Sequence, residues 1–252
     1  GMADAEQFRA LGEATGGKLT GQDQGATTDW TAALARQAAI THNHNVAISG
    51  AHRNFSYRAS LNYKDAQGIA KNNGRKEIVA KLAADQKCLN GWLKLQYDFS
   101  YMHYRNDYSA ADFTIASQLN PTMPIYNEDG SYYIPGNSGQ YNPVEWLNAR
   151  EDYKDGNYCR GSVKATVDIK AVPGLKVNAF AAIEEGDNRS YSYNNNITDP
   201  NKAEASDWAN RQFDMNLNQL YEATIDYAGS WNNHNLVLVA GFSYQHFMDD
   251  GM

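Results

Sequence analysis

The 252-residue sequence holds only two cysteines, Cys88 and Cys159, and no apolar run approaching 18 residues. So few cysteines exclude a disulfide scaffold, and their spacing is not that of a zinc site. The missing apolar run excludes a transmembrane helix. It leaves transmembrane β-strands open, because such a strand crosses with about 10 residues of which only alternate ones are apolar. Basic residues are in deficit: 22 Lys and Arg stand against 29 Asp and Glu, a net charge of −7 with no basic block, which excludes non-specific nucleic-acid binding. The opening GMADAEQF lacks the basic-then-apolar order of a secretory leader. Neither G-x-S-x-G nor H-E-x-x-H nor a phosphate-cradling glycine loop occurs, so no enzymatic function and no cofactor is expected.

Aromatic residues are abundant instead, with 17 Tyr, 8 Phe and 5 Trp beside 20 Gly. With a mean hydropathy of −0.66, that composition points to β-structure rather than to a helical bundle. Period-two alternation predicts eight strands, at 42–50, 54–63, 75–85, 91–104, 158–170, 174–184, 218–229 and 234–247. Leu93, Leu95, Tyr97, Phe99 and Tyr101 form one face of the fourth, and Lys94, Gln96, Asp98 and Ser100 the other. The last is less clean: Val237 and Val239 put apolar atoms on its polar side, as in a strand buried on both faces.

Connection lengths carry a second pattern. Short links at 51–53, 86–90, 171–173 and 230–233 alternate with long ones at 64–74, 105–157 and 185–217. In an antiparallel up-and-down meander all tight turns then lie at one end and all long loops at the other, as in transmembrane barrels. Outward aromatics fall at two levels, with Tyr63, Tyr101, Tyr221 and Tyr244 toward the long loops and Phe55, Tyr57 and Tyr227 toward the short turns, as in interfacial girdles. The expected fold is therefore all-β, an up-and-down meander of about eight strands forming part of a transmembrane β-barrel. Residues 1–40 form a loop or short helical segment before it, and 41–252 the barrel segment. Two other readings stay open: a self-contained eight-stranded barrel, and a soluble β-sheet protein, either serving glycan binding or adhesion. The strand directions also place Cys88 and Cys159 too far apart to be bridged.

Several stretches, in order, resemble one family. TTDW, THNHNVAISGAHRNFSYRASLNYKDAQGIAKNNGRKEIVAKL, NGWLKLQYDFSY and QLNPTMPIYNEDGSYY are similar to the barrel of SusC/RagA-type TonB-dependent outer-membrane transporters, from about Thr27 onward. Ala51 departs from the pattern, which usually has a second glycine there. The resemblance implies the cell outer membrane as location and import of oligosaccharides or peptides without covalent chemistry. It also implies energy from the TonB complex and a SusD-type surface lipoprotein as partner. Such transporters carry a plug inside a barrel of about 22 strands, so eight strands imply an internal segment of one. Arg58, Lys94, Asp98, Lys164, Asp168, Glu222 and Asp226 would then face plug or channel.

The six histidines are scattered; His42 and His44 share a strand face but lack a third ligand at metal-site spacing. Glu184 and Glu185, or Asp249 and Asp250, point to opposite sides as strand neighbours, unlike a glycosidase pair. Better candidates lie in the long loops, where rings mix with amides and carboxylates suited to sugar faces and hydroxyls. Tyr126, Tyr132, Tyr133, Trp146, Tyr191 and Trp208 are the expected ligand-binding residues, with Asn137 and the asparagine run 194–196 among the amides beside them. Asp129 with Gly130, and Asp155 with Gly156, read as turns rather than calcium ligands.

Overall fold

Eight strands pair side by side in chain order: β1 (Thr41–His52), β2 (Phe55–Gln67), β3 (Gly74–Cys88), β4 (Leu93–Tyr108), β5 (Arg150–Asp168), β6 (Leu175–Asn194), β7 (Trp208–Trp231) and β8 (His234–Gly251). The computed structural model describes residues 4–17, 22–136, 139–195 and 207–251. Every neighbouring pair is antiparallel, and β1 and β8 are the two edges, so the meander does not close on itself. The described residues also hold four short α-helices, α1 (Ala5–Ala14), α2 (Trp30–Leu34), α3 (Phe113–Gln118) and α4 (Pro143–Ala149), and a 3-10 turn at Leu89–Gly91.

All eight predicted strands are present, but β5, β6 and β7 run about eight to ten residues further toward the long loops than the alternation suggests. The loops expected at 105–157 and 185–217 shrink to 109–149 and 195–207, and 64–74 shrinks to 68–73, no longer than the opposite turn at 169–174. The cause is that both strand faces turn polar above the apolar zone, so the period-two signal ends while the backbone ladder continues. Asp155 and Gly156 accordingly lie within β5 rather than in a turn. Gly156 lets the Tyr104 ring of β4 lie against the strand, since a Cβ there would sit 2.6 Å from that ring.

The register sorts the side chains into two faces. Arg58, Lys94, Asp98, Lys164, Asp168, Glu222 and Asp226 all fall on one, joined by rows such as Arg58–Ala83–Asp98–Ser162 and Lys164–Phe180–Glu222. The other is apolar and uncovered: Val46 and Phe242 are more than two-thirds exposed, and no hydrophobic core forms over the sheet among the described residues. Val237 and Val239, expected to be buried on both sides, are also exposed, because β8 is a sheet edge. Cys88 faces Leu93 of β4, which faces Val167, eight positions along β5 from Cys159. At about 3.3 Å per residue that separation far exceeds bridging distance, and both thiols are free.

On β4 the apolar face runs from Leu93 to Tyr101 before His103 turns it polar, nine residues, which matches the ~9–11 residues of a membrane-spanning strand. The upper edge of this zone descends across the sheet in even steps. Tyr63, its last member on β2, shares a row with His103, so the zone has dropped by two residues on reaching Tyr101. Tyr101 shares a row with Glu185, two above Ile183, and Ile183 one with His246, two above Tyr244. Two residues per two strands is a fall of about 3.3 Å for each ~4.8 Å between strands. The angle is about 35°, the tilt of strands in transmembrane barrels.

Candidate functional site

The hydrophobic core lies off the sheet, in a cap built from 22–36 and 109–149 at the long-loop end. Trp30 and Leu34 of α2 pack with Ala116, Leu119, Met123, Val144 and Leu147. Local chemistry in the sequence explains its turns. Asp29 caps α2 by accepting from the Ala32 N–H, and Asp112 caps α3 by accepting from that of Ile115. Asn120, in the NPTMP segment, accepts from the Thr122 N–H and hydroxyl, and its amide donates to the Gln22 carbonyl. Asn142, 1% exposed, caps α4 through Oδ1 while its Nδ2 donates to the carbonyls of Ile125 and Tyr133, fixing the helix against the 126–132 hairpin. Asp29→Ala is expected to destabilise the cap by about 1 kcal/mol, read as earlier protease cleavage of 22–36.

The cap is latched to the wall through Arg36, whose guanidinium donates to the Gly68 and Asn73 carbonyls at 2.7 and 3.1 Å in the β2–β3 link. Within the cap the Tyr141 hydroxyl donates to Asp112. Burial first, and then that hydrogen bond and the negative charge, push its pKa well above the ordinary tyrosine value. The resulting stability is full below about pH 10, where an unfolded tyrosine begins to ionise, and is lost as pH rises further. Tyr141→Phe should flatten this alkaline loss in a melting series from pH 8 to 11.

The structure does not bring the six predicted rings into one site. Tyr126 is 48% exposed, with Tyr132 opposite it across a small hairpin at a ring distance of 5.1 Å. Asp129 and Gly130 form the tip of that hairpin; the Ser131 hydroxyl and N–H donate to the Asp129 carboxylate and hold its pKa below the usual range. Tyr132 and Tyr133 pack against the cap core, where Tyr132 accepts from the Asn148 amide and Tyr133 donates to the Gln24 side chain. Trp146 is buried against Tyr141. Tyr191 and Trp208 belong to strands β6 and β7 rather than to loops, and their register places them on opposite faces. Tyr191 stacks on Tyr153 at 4.7 Å, and the Arg211 guanidinium carbon lies 5.2 Å from the Tyr191 ring centre. Asn137 and Asn196 lie outside the described residues.

Sequence reasoning missed Arg150, the first residue of β5. Its guanidinium carbon lies 5.3 Å from the Trp146 ring centre and 5.4 Å from that of Trp208, and its Nε donates to Asp152 at 2.6 Å. It lines a cavity of about 480 Å³ at the upper rim of the wall, beneath the cap. The signal was a Trp-x-x-x-Arg spacing across the end of α4, which is too common to single out. Glu184, read from sequence as one of two acids pointing apart, pairs with Arg160 on the neighbouring strand at 3.2 Å.

The fold thus defines an up-and-down β-barrel wall with an outward apolar zone and a folded cap over one end. No family model matches the chain. It is 25% identical to the TonB-dependent receptor SusC of Bacteroides thetaiotaomicron over 99% of its own length and 27% of that protein's. It is 36% identical to the TonB-dependent receptor P26 of Formosa agariphila over 104 residues, 41% of this chain and 10% of that one. In fold it matches the RagAB peptide importer in a closed-closed state with a TM-score of 0.73 at 20% identity, covering 89% of this chain and 26% of that one. A second structure, of the RagAB peptide transporter, matches with a TM-score of 0.73 at 19% identity. In sequence the chain is similar to SusC-type TonB-dependent receptors and in fold to the RagAB importer, and it spans about a quarter of the length of SusC.

Proposed function

We propose that the chain forms part of the wall and surface cap of an outer-membrane transporter that imports oligosaccharides or peptides. Energy comes through the TonB complex, and ligand is delivered beneath a SusD-type surface lipoprotein. The observation that carries this reading is the apolar zone, nine residues tall on β4, whose upper edge falls one residue per strand. A soluble sheet has no reason to expose such a zone or to tilt it at the barrel angle. Residues 1–40 serve with the cap, 41–252 with the wall, and the charged face of the sheet lines the interior.

Tyr126, Tyr132, Tyr133, Trp146, Tyr191 and Trp208 contribute to ligand selection in this reading, with Tyr126 foremost because its ring is free to meet a ligand. Tyr126→Ala is expected to weaken binding about fivefold, roughly 1 kcal/mol, without changing the melting temperature. Trp146→Ala is expected to lower cap stability first. Both are read by calorimetry and thermal melts on the full-length receptor. The function is tested by labelled oligosaccharide and peptide pools given to cells that carry or lack the full-length receptor. Uptake that needs both the receptor and a proton-motive force is the expected result; uptake indifferent to the receptor would refute it.

A further inference from the structure

Arg150 combines features that a surface arginine serving only a salt bridge does not need. Two indoles flank its guanidinium at 5.3 and 5.4 Å, and it is only about a quarter exposed. Asp152 engages Nε through its Oδ2 and so orients the fork. Flanking rings and a carboxylate on Nε together remove most of the freedom that an arginine otherwise loses on binding, leaving the two terminal nitrogens as a preformed bidentate donor. Asp152 has a second peculiarity: its Oδ1 is buried and accepts no hydrogen bond among the described residues. A buried carboxylate oxygen without a donor is costly, and a ligand N–H or O–H would relieve it.

The surroundings point to the charge of the ligand. Arg36, Arg75, Lys76, Arg105 and Arg150 line the rim cavity with four acidic side chains, a basic excess of one in a chain of net charge −7, with Arg75, Lys76 and Arg105 held by Glu77, Asp65 and Asp107. We propose that Arg150 grips a ligand carboxylate in this cavity while Asp152 Oδ1 accepts from a donor next to that carboxylate. Two ligand ends offer that arrangement: the terminal carboxylate of a peptide with its own amide N–H, and a uronate sugar with its ring hydroxyls. The inference rests on the import reading above and narrows its substrate to acidic-ended ligands.

Four probes separate the sources in calorimetry on the full-length receptor: tetra-alanine, its C-terminal amide, trigalacturonate and its methyl ester. One acid is expected to bind at least tenfold more tightly than its neutral partner. Arg150→Gln should cut that ratio below twofold, and Arg150→Lys, which keeps the charge without the fork, should leave it intermediate. A purely structural arginine would instead weaken acid and neutral forms alike, and that result overturns the proposal. So does a wild-type receptor without acid preference, one that binds none of the four, or a ratio preserved in Arg150→Gln. Trp208→Ala, placed on a strand, is the second variant should Arg150→Gln not fold: its ratio should fall about threefold, and an unchanged ratio counts against the proposal. Failure of the import reading is seen separately, as receptor-independent uptake in cells.

Discussion

Val163→Arg is expected to destabilise the full-length receptor in a bilayer by about 2–4 kcal/mol, whereas Ser162→Arg, one residue away, is expected to leave it close to wild type. Val163 lies midway along the apolar zone of β5, in a row with Tyr97, Ala181, Tyr221 and Tyr244. An arginine there must hold its charge at the centre of the hydrocarbon, where lipid-facing substitutions cost that much. Ser162 faces inward opposite Asp98, so an arginine there gains water and a carboxylate partner. Urea unfolding from lipid vesicles reads both variants, and equal losses would mean that the two faces do not see different solvents.

Gly174→Ala is expected to cost about 3 kcal/mol or more, far beyond Gly91→Ala at about 1 kcal/mol. Both glycines sit in short turns at the same end of the wall and share a φ of +86°. That left-handed conformation is strained for any residue with a Cβ. The difference is room: a Cβ at Gly91 meets nothing within 4 Å, while one at Gly174 would stand 1.9 Å from the Ala228 carbonyl oxygen. Gly174 also accepts a hydrogen bond from the Ala228 N–H at 3.0 Å, so β7 cannot move aside without losing it. Thermal unfolding of both variants in the full-length receptor isolates the crowding from the shared strain, and equal losses would deny the close approach.

What could be read before folding follows from where water and hydrocarbon differ. In the apolar zone each strand has one face of each kind, so Leu93–Tyr101 alternates visibly and the strand order and faces follow. Above it, the tops of β5, β6 and β7 are polar on both sides, and Tyr153, Tyr191 and Trp208 read as loop residues although they extend the wall. Helix caps at Asp29, Asp112 and Asn142 use local side-chain to backbone bonds. The cap core they support joins residues 90 positions apart, such as Trp30 and Asn120, which no local pattern reveals. Arg150 was invisible for the same reason: Trp208, which completes its surroundings, is brought in by β6 and β7.

In the proposed reading one face of this sheet meets lipid and the other the barrel interior. The direct test is spin-label accessibility along β4, at positions 93–108 of the full-length receptor in a bilayer, with Cys88 and Cys159 replaced by serine. Labels at 93, 95, 97, 99 and 101 should be accessible to oxygen dissolved in lipid, and those at 94, 96, 98 and 100 should be shielded from it. From 103 upward the odd positions should turn to a water-soluble relaxant. An unbroken aqueous signal along β4, or a lipid signal at the even positions, would mean that the apolar face does not meet lipid.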